Sequence, residues 1–305
     1  MPPFTTILAC VAVCYISLTF ALVAMSLAGI RLAGYYGRNL ASVLFVGLAA
    51  SYGIFASAYF RIRGEAASGQ WASGRAYKWL MWFFTGVMFT IEDPDGYLDN
   101  TRPAVFVGNH QTELDVLMLG TIFPRNCSVT AKKAIQYIPL LGWFMVLSGS
   151  IFIDRKNSTD ARQAMAGAAS EMKNKNQSVY IFPEGTRSYS KEPMLKSFKK
   201  GAFHLAIQGG VPIVPVVVAN YSHVLYKQGR IFKAGKIPCK VLEPIPTKGL
   251  TADDVDDLVR KTRDIMLDEI IALTAQARGE RMAVPAVAAT EAVARATGAE
   301  VKVGI

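Results

Sequence analysis

The sequence predicts an α/β layered domain with a central sheet, preceded by N-terminal membrane helices. Three observations predict it. Residues 1–60 hold two long apolar runs, Ile7–Ile30 and Leu40–Phe60, in a stretch whose only charges are Arg31 and Arg38. From about residue 92, short apolar runs alternate with segments of helical periodicity, the pattern of strands and helices stacked in layers. Composition agrees: 51% hydrophobic and only 18% charged, with mean hydropathy +0.26, excludes intrinsic disorder and is too apolar for an ordinary soluble globule. At 305 residues the chain has room for more than one unit, and three are expected: 1–75 as anchoring helices, 76–275 as the body, and 276–305 as a loosely ordered, Ala- and Val-rich tail.

Each of the two apolar runs exceeds the roughly 20 residues that cross a hydrocarbon core. The first is read as an uncleaved anchor, because it lacks a basic leader and outruns the usual apolar core of a signal peptide. The exit carries Arg61, Arg63, Arg75 and Lys78 against Arg31 and Arg38 in the connector, so the body is expected to face the cytosol. Trp79–Ile91, too short to span and rich in Trp and Phe, reads as an interfacial segment.

In the body, Ala104–Val107 ending at Gly108-Asn109 reads as a buried strand and its exit, and Leu114–Ile122 as a helix. Ile138–Ile153 is apolar but interrupted by Pro139, Gly142 and Gly149, and is read as a buried or interfacial helix and strand, not a third span. Ser158–Gln177 is a helix, Val179–Phe182 a strand, and Phe198–Gln208 a helix stopped by Gly209-Gly210. Ile213–Ala219 is a second buried strand whose Pro215 calls for an edge or a bulge. Pro238–Leu242 resembles another strand, and Thr251–Ala275 a long helix with Asp253 and Asp254 in its first turn.

The net charge of +10 suits nucleic acid, anionic lipid or phosphorylated substrates. Four cysteines without CxxC or Cys/His spacing argue against both a disulfide framework and a zinc site. Among three histidines, His110 follows a strand exit, where an α/β domain collects its ligands. His110 and Asp115, five apart, do not share a helix face, being about 140° apart around the axis. They meet only if His110 stays in the loop and Asp115 reaches back from the first helical turn, fixing the imidazole tautomer. The competing reading is a capping box, Thr112-x-x-Asp115. His204 reads as structural and His223 as the second candidate base. Phe182–Ser188 follows another strand: Gly185 permits close approach, Thr186 and Ser188 offer hydroxyls, and Arg187 offers a planar fork for phosphate. Glu184 would take a substrate hydroxyl or orient Arg187. Asp154-Arg155 follows an apolar run as a third basic group, and Lys132-Lys133 and Lys199-Lys200 add charge, each lysine pair also readable as a solvated face. No P-loop is present.

Taken together these blocks carry a resemblance. Asn109–Asp115 (NHQTELD) matches the NHx4D motif of glycerolipid acyltransferases, and Phe182–Ser188 (FPEGTRS) their second hallmark. Gly149–Arg155 (GSIFIDR) resembles the intervening motif and Val211–Val216 the apolar fourth, in the family's order, over roughly residues 75–250. The wording around them is similar to that of the fungal 1-acyl-sn-glycerol-3-phosphate acyltransferases. The resemblance implies an acyltransferase-like fold and transfer of a fatty acyl group from acyl-CoA to lysophosphatidate, with His110 and Asp115 catalytic. It assigns Glu184, Gly185, Thr186, Arg187, Arg155 and Lys132 to substrate binding, and Val211–Val216 to an apolar wall for acyl chain or CoA. It implies no cofactor beyond acyl-CoA as co-substrate, the lipid bilayer as a partner, neither nucleic acid nor a protein partner, and the endoplasmic reticulum as the membrane. An acyltransferase with another acceptor, glycerol 3-phosphate or a lysophospholipid, and a non-catalytic membrane lipid-binding protein are the alternatives.

Overall fold

The computed structural model describes residues 3–154 and 158–279. Helices α1 (Phe4–Leu27), α2 (Arg31–Ile62) and α3 (Ser68–Thr85) lead into β1 (Val87–Glu92). There follow α4 (Tyr97–Asn100), β2 (Val105–Gly108), α5 (Asp115–Ile122), β3 (Cys127–Lys132), α6 (Leu141–Leu147) and β4 (Ile151–Ile153). Then come α7 (Ser158–Lys175), β5 (Ser178–Ile181), α8 (Gly201–Gly209), β6 (Ile213–Val218), the short pair β7 (Leu225–Tyr226) and β8 (Ile231–Phe232), β9 (Gly235–Val241) and α9 (Val255–Arg278). The central sheet runs β1-β9-β6-β2-β5-β3-β4, parallel at every pairing except the antiparallel β6–β9.

The three central strands β2, β5 and β6 are buried along their whole length because both sheet faces are covered there. Alternate residues serve the two layers. Phe106 of β2 and Val214 and Val216 of β6 pack with Phe45, Tyr77, Met81 and Leu117 from α2, α3 and α5. Val105 and Val107 of β2, with Ile213 and Val217 of β6, pack with Met172, Phe203 and Met266 from α7, α8 and α9. Since β5, β2 and β6 are parallel neighbours, their carboxyl ends deliver three loops to one edge of the sheet.

Both N-terminal helices are long and apolar enough to cross a membrane, with mean hydropathies of 2.5 and 1.8. They differ in surroundings. α1 buries only Thr19 and exposes residues such as Leu8, Val11, Leu18 and Leu27. α2 buries a stripe of mostly small residues at every fourth position, Ala33, Gly37, Ala41, Phe45, Ala49 and Gly53, which lets neighbouring helices approach closely. Residue 75, the expected end of the anchoring part, falls inside α3.

Three local outcomes differ from the sequence expectation or decide between its alternatives. Trp79–Ile91 is not one segment: Gly86, at φ 68°, caps α3 in the left-handed region and β1 begins at the next residue. Its helical part still exposes Trp79, Trp82 and Phe83. Pro215 lies in an interior strand, between β2 and β9, so the edge alternative is wrong and the bulge alternative is right. From the Val216–Val241 pairing to the Ile213–Ile245 bridge there are three steps along β6 and four along the opposite segment. That extra residue falls beside Pro215, where an N–H is missing, while the Pro215 carbonyl still accepts from Leu242 at 2.9 Å. Finally, Ile138–Ile153 forms the seven-residue α6 and the three-residue β4. A helix of that length is about 10 Å long, far short of a span. Helix α8 begins at Gly201, three residues after its expected start, and α9 continues to Arg278 behind a capping box of Thr251 and Asp254. The tail from residue 280 lies outside the described residues.

Candidate active site

The loop after β2 is fastened before it presents anything. Gly108 faces the Tyr180 hydroxyl so closely that a Cβ would collide with it. The Asn109 side chain pairs both ways with Val218 at the end of β6, donating to its carbonyl at 3.0 Å and accepting from its N–H at 2.9 Å. Gln111 donates to the Ala219 carbonyl at 2.9 Å. Asn109 and Gln111 thereby bracket His110.

Asp115, the first residue of α5, reaches back to that loop. Its Oδ2 lies 2.6 Å from His110 Nδ1 and accepts the Gln111 N–H at 2.7 Å. Its Oδ1 accepts from the Tyr221 hydroxyl at 2.6 Å, and Asp115 is only 2% exposed. Asp115 Oδ2 is already an acceptor of the Gln111 N–H, so it suits the neutral tautomer that carries its hydrogen on Nδ1 and leaves the Nε2 lone pair free. The imidazole also stacks on Phe182, centroids 4.2 Å apart. The expected alternative, a Thr112–Asp115 capping box, does not form: Thr112 Oγ1 accepts from the Leu114 N–H at 3.1 Å, and Leu114 is the N-cap.

The loop after β5 sits against the first. Ser188 and Tyr189 donate their N–H groups to the carbonyls of His110 and Gln111 at 2.9 and 3.1 Å. Glu184, expected to meet a substrate hydroxyl or Arg187, accepts the His110 N–H at 2.7 Å and the Lys196 N–H at 3.0 Å and is 4% exposed. It braces the backbone that carries His110. Burial pushes its carboxyl above the ordinary value, against the opposing pull of those two N–H groups. Arg187 is held elsewhere: its Nη1 donates to Glu113 Oε1 at 2.9 Å, the same oxygen that receives the Tyr189 hydroxyl at 2.7 Å and Lys227 Nζ at 2.7 Å. Burial pushes the Glu113 carboxyl up, but the bonds from Lys227 and Tyr189, with the Arg187 charge, more than offset it and hold it below the usual carboxylate value.

A cavity of about 530 Å³ opens onto these loops, lined by His110, Phe182, Thr186, Arg187, Tyr189 and Lys132. Its apolar part comes from Val46 and Ala50 of α2, Tyr77 of α3, Leu119 of α5, nearby Phe123, and Phe144 of α6. The structure thus brings together His110, Thr186, Arg187 and Lys132 around one space, with Asp115, Glu184 and Gly185 packed behind or beside it. Gly185, at φ 68°, makes the turn that the second loop needs. Arg155 lies outside the described residues. Val211–Val216 does not form the expected apolar wall: β6 is buried on both faces inside the sheet and none of its residues lines the cavity. His223 does not line it either, and His204 is half-buried on α8. Lys200 pairs with Asp256 on the surface, as a solvated lysine would.

Sequence reasoning missed Tyr221, Glu113, Tyr189, Lys196 and Lys227. Glu113 sits within the first motif and Tyr189 directly after the second, which was the available signal. Tyr221, Lys196 and Lys227 gave none. Burial and the adjacent Asp115 charge push the Tyr221 phenol well above its ordinary value, so it stays a donor to that carboxylate.

A histidine paired with a buried carboxylate, at the open end of an α/β sheet and beside a largely apolar cavity that also takes cationic residues, is an arrangement suited to an enzyme that works by acid–base chemistry. The comparisons narrow it. The acyltransferase family model matches residues 91–219. An acyltransferase of Schizosaccharomyces pombe is 43% identical over 237 residues, covering 78% of this chain and 85% of its own. The 1-acyl-sn-glycerol-3-phosphate acyltransferase of Saccharomyces cerevisiae is 39% identical over 236 residues, 77% of each chain. The fold matches the crystal structure of the 1-acyl-sn-glycerophosphate acyltransferase of Thermotoga maritima with TM-score 0.62 at 21% identity, covering 79% of this chain and 95% of that one. The chain belongs to the acyltransferase family.

Proposed function

We propose that this acyltransferase moves a fatty acyl group from acyl-CoA to the sn-2 hydroxyl of 1-acyl-sn-glycerol 3-phosphate, giving phosphatidate for phospholipid synthesis. The observation that carries the reading is the His110–Asp115 pair, 2.6 Å apart, on the wall of a cavity that is apolar on one side and cationic on the other. The Saccharomyces cerevisiae relative, a 1-acyl-sn-glycerol-3-phosphate acyltransferase, supports the same acceptor.

In this reading His110 Nε2 removes the hydroxyl proton as the oxygen attacks the thioester carbonyl. The tetrahedral intermediate collapses with loss of CoA thiolate, which takes the proton back from the imidazolium. Asp115 fixes the tautomer and stabilises that imidazolium, while Tyr221 and the Gln111 N–H share the Asp115 charge. A thioester is already activated, so transfer is direct and no acyl-enzyme is formed. Lys132 and Arg187 hold the acceptor phosphate, with Thr186 beside them, and the alkyl chain lies against the α2–α3–α6 side of the cavity. Helix α1 and the outer side of α2 hold the enzyme in the endoplasmic reticulum membrane, with the site on the cytosolic side, where lysolipid and acyl-CoA meet.

The test is a membrane assay with one acyl-CoA and three acceptors, lysophosphatidate, glycerol 3-phosphate and lysophosphatidylcholine, with products identified by mass. Phosphatidate from lysophosphatidate is expected. Acylation of glycerol 3-phosphate or lysophosphatidylcholine in its place would overturn the acceptor assignment.

A further inference from the structure

A second, smaller cavity of about 190 Å³ lies where the α1–α2 turn meets the β7–β8 hairpin, and it shares no lining residue with the catalytic cavity. Four cations line it, Arg31, Arg38, Arg230 and Lys233, and no acidic residue does. None of the four makes an ion pair among the described residues. Arg38 is half-buried, and the partners of its guanidinium are neutral: the Thr85 carbonyl at 3.2 Å, Ser26 Oγ at 2.9 Å and the Phe232 carbonyl at 3.3 Å. A guanidinium drawn partly out of water and given no counter-charge is unfavourable unless an anion completes it. Arg230 is held at φ 47°, the left-handed region that a non-glycine residue avoids, although Gly229 stands next to it. The chain thus accepts backbone strain and concentrates like charge at one place.

We propose that this cavity binds the phosphate of an anionic phospholipid headgroup at a site distinct from the catalytic one. Arginine supplies the planar fork that suits phosphate, and Lys233 a mobile ammonium. A free phosphate has the same chemistry, but the surroundings favour a lipid. Leu27, Ile30 and Leu32, on the turn that frames the cavity, are 83%, 46% and 51% exposed. A phosphate seated among the four cations would have its chains beside these apolar side chains. Occupancy would tie the α1–α2 turn to the hairpin that carries Lys227, and so links membrane composition to the seating of the catalytic body.

The experiment is native mass spectrometry of the full-length protein released from a neutral detergent after incubation with phosphatidylglycerol, an anionic lipid outside the proposed acceptor class. The wild type is expected to retain one phosphatidylglycerol, with occupancy at least tenfold lower in the triple variant Arg31→Gln, Arg230→Gln, Lys233→Gln. A control triple removing equal charge from exposed lysines elsewhere, Lys173→Gln, Lys248→Gln, Lys261→Gln, and the variant Arg187→Ala should both bind as the wild type does. Turnover in neutral detergent reports that the triple is folded. If it is not, Arg230→Gly, which relieves the strained backbone while removing a cation, carries the test and should lower occupancy alone. Undiminished binding in the cavity variants, equal loss in the control triple, or loss in Arg187→Ala would each overturn the proposal. So would release of the lipid by equimolar inorganic phosphate, which would assign the cavity to the free ion.

Discussion

Asp115 has three hydrogen-bond partners, and the bond from Tyr221 bears on the imidazole that Asp115 faces. Tyr221 donates at 2.6 Å to the oxygen that His110 does not use, so it tempers the charge that the imidazole faces. Hydrogen bonds to ionised groups contribute about 1.5–3 kcal/mol. Tyr221→Phe should therefore lower kcat roughly tenfold or more and leave the KM for either substrate little changed. A change in thermal stability with an unaltered kcat would make Tyr221 a packing residue only. Glu184 gives a second prediction. Its carboxyl is raised by burial, so the folded state holds that proton more tightly than the unfolded chain. The stability this supplies is present below the ordinary carboxylate value and lost as pH rises through the folded value. In thermal melts from pH 4 to 7, Glu184→Gln should thus improve relative to the wild type as pH rises; a constant offset would contradict it. The His110–Asp115 pair was legible in the sequence because both partners lie within seven residues. The Tyr221, Lys196 and Lys227 contacts were not, because only tertiary approach brings residues 106, 12 or 114 positions apart into bonding distance.

At the scale of elements, helix α5 carries Asp115 at its start and is clamped near its end. A Cβ on Gly120 would stand 2.5 Å from the Gly74 carbonyl oxygen of α3, and Arg75 donates to the Gly120 and Thr121 carbonyls at 2.5 and 2.6 Å. Gly120→Ala must push the two helices apart, since the obstacle is backbone. Overpacking of this kind costs about 1–3 kcal/mol. The variant should melt earlier and lose activity as α5 shifts Asp115. Gly167→Ala on α7 meets nothing within 4 Å and should be neutral or stabilising, by at most about 1 kcal/mol. Equal melting points for the two variants would show that the α3–α5 contact is slack. Strands β2, β5 and β6 were legible because strands buried along their whole length are short apolar runs, whereas β3, with polar residues in its run, and the two-residue β7 and β8 went unread. The order of the strands was not legible, which is why Pro215 turned up in the middle of the sheet. Likewise Gly86 divides an apolar run that hydropathy alone joins into one segment.

For the whole molecule, the larger cavity, onto which His110 opens, is not a property of the body alone. Val46, Ala49 and Ala50 come from the apolar α2, while His110 and Arg187 come from loops at the end of the sheet. Apolarity in the first 62 residues announced a membrane-facing part, but nothing in the sequence announced that α2 would also line the site. The proposed function rests above all on His110, oriented by Asp115, as the base that acts on the acceptor hydroxyl in that shared cavity. The direct measurement is the turnover of acyl-CoA and lysophosphatidate to phosphatidate by purified His110→Ala beside the wild type, with equal melting points establishing that both are folded. A loss of about two to four orders of magnitude, carried by kcat, is expected for removal of a general base. Turnover within a few-fold of the wild type would contradict it and move the search for the base to another residue.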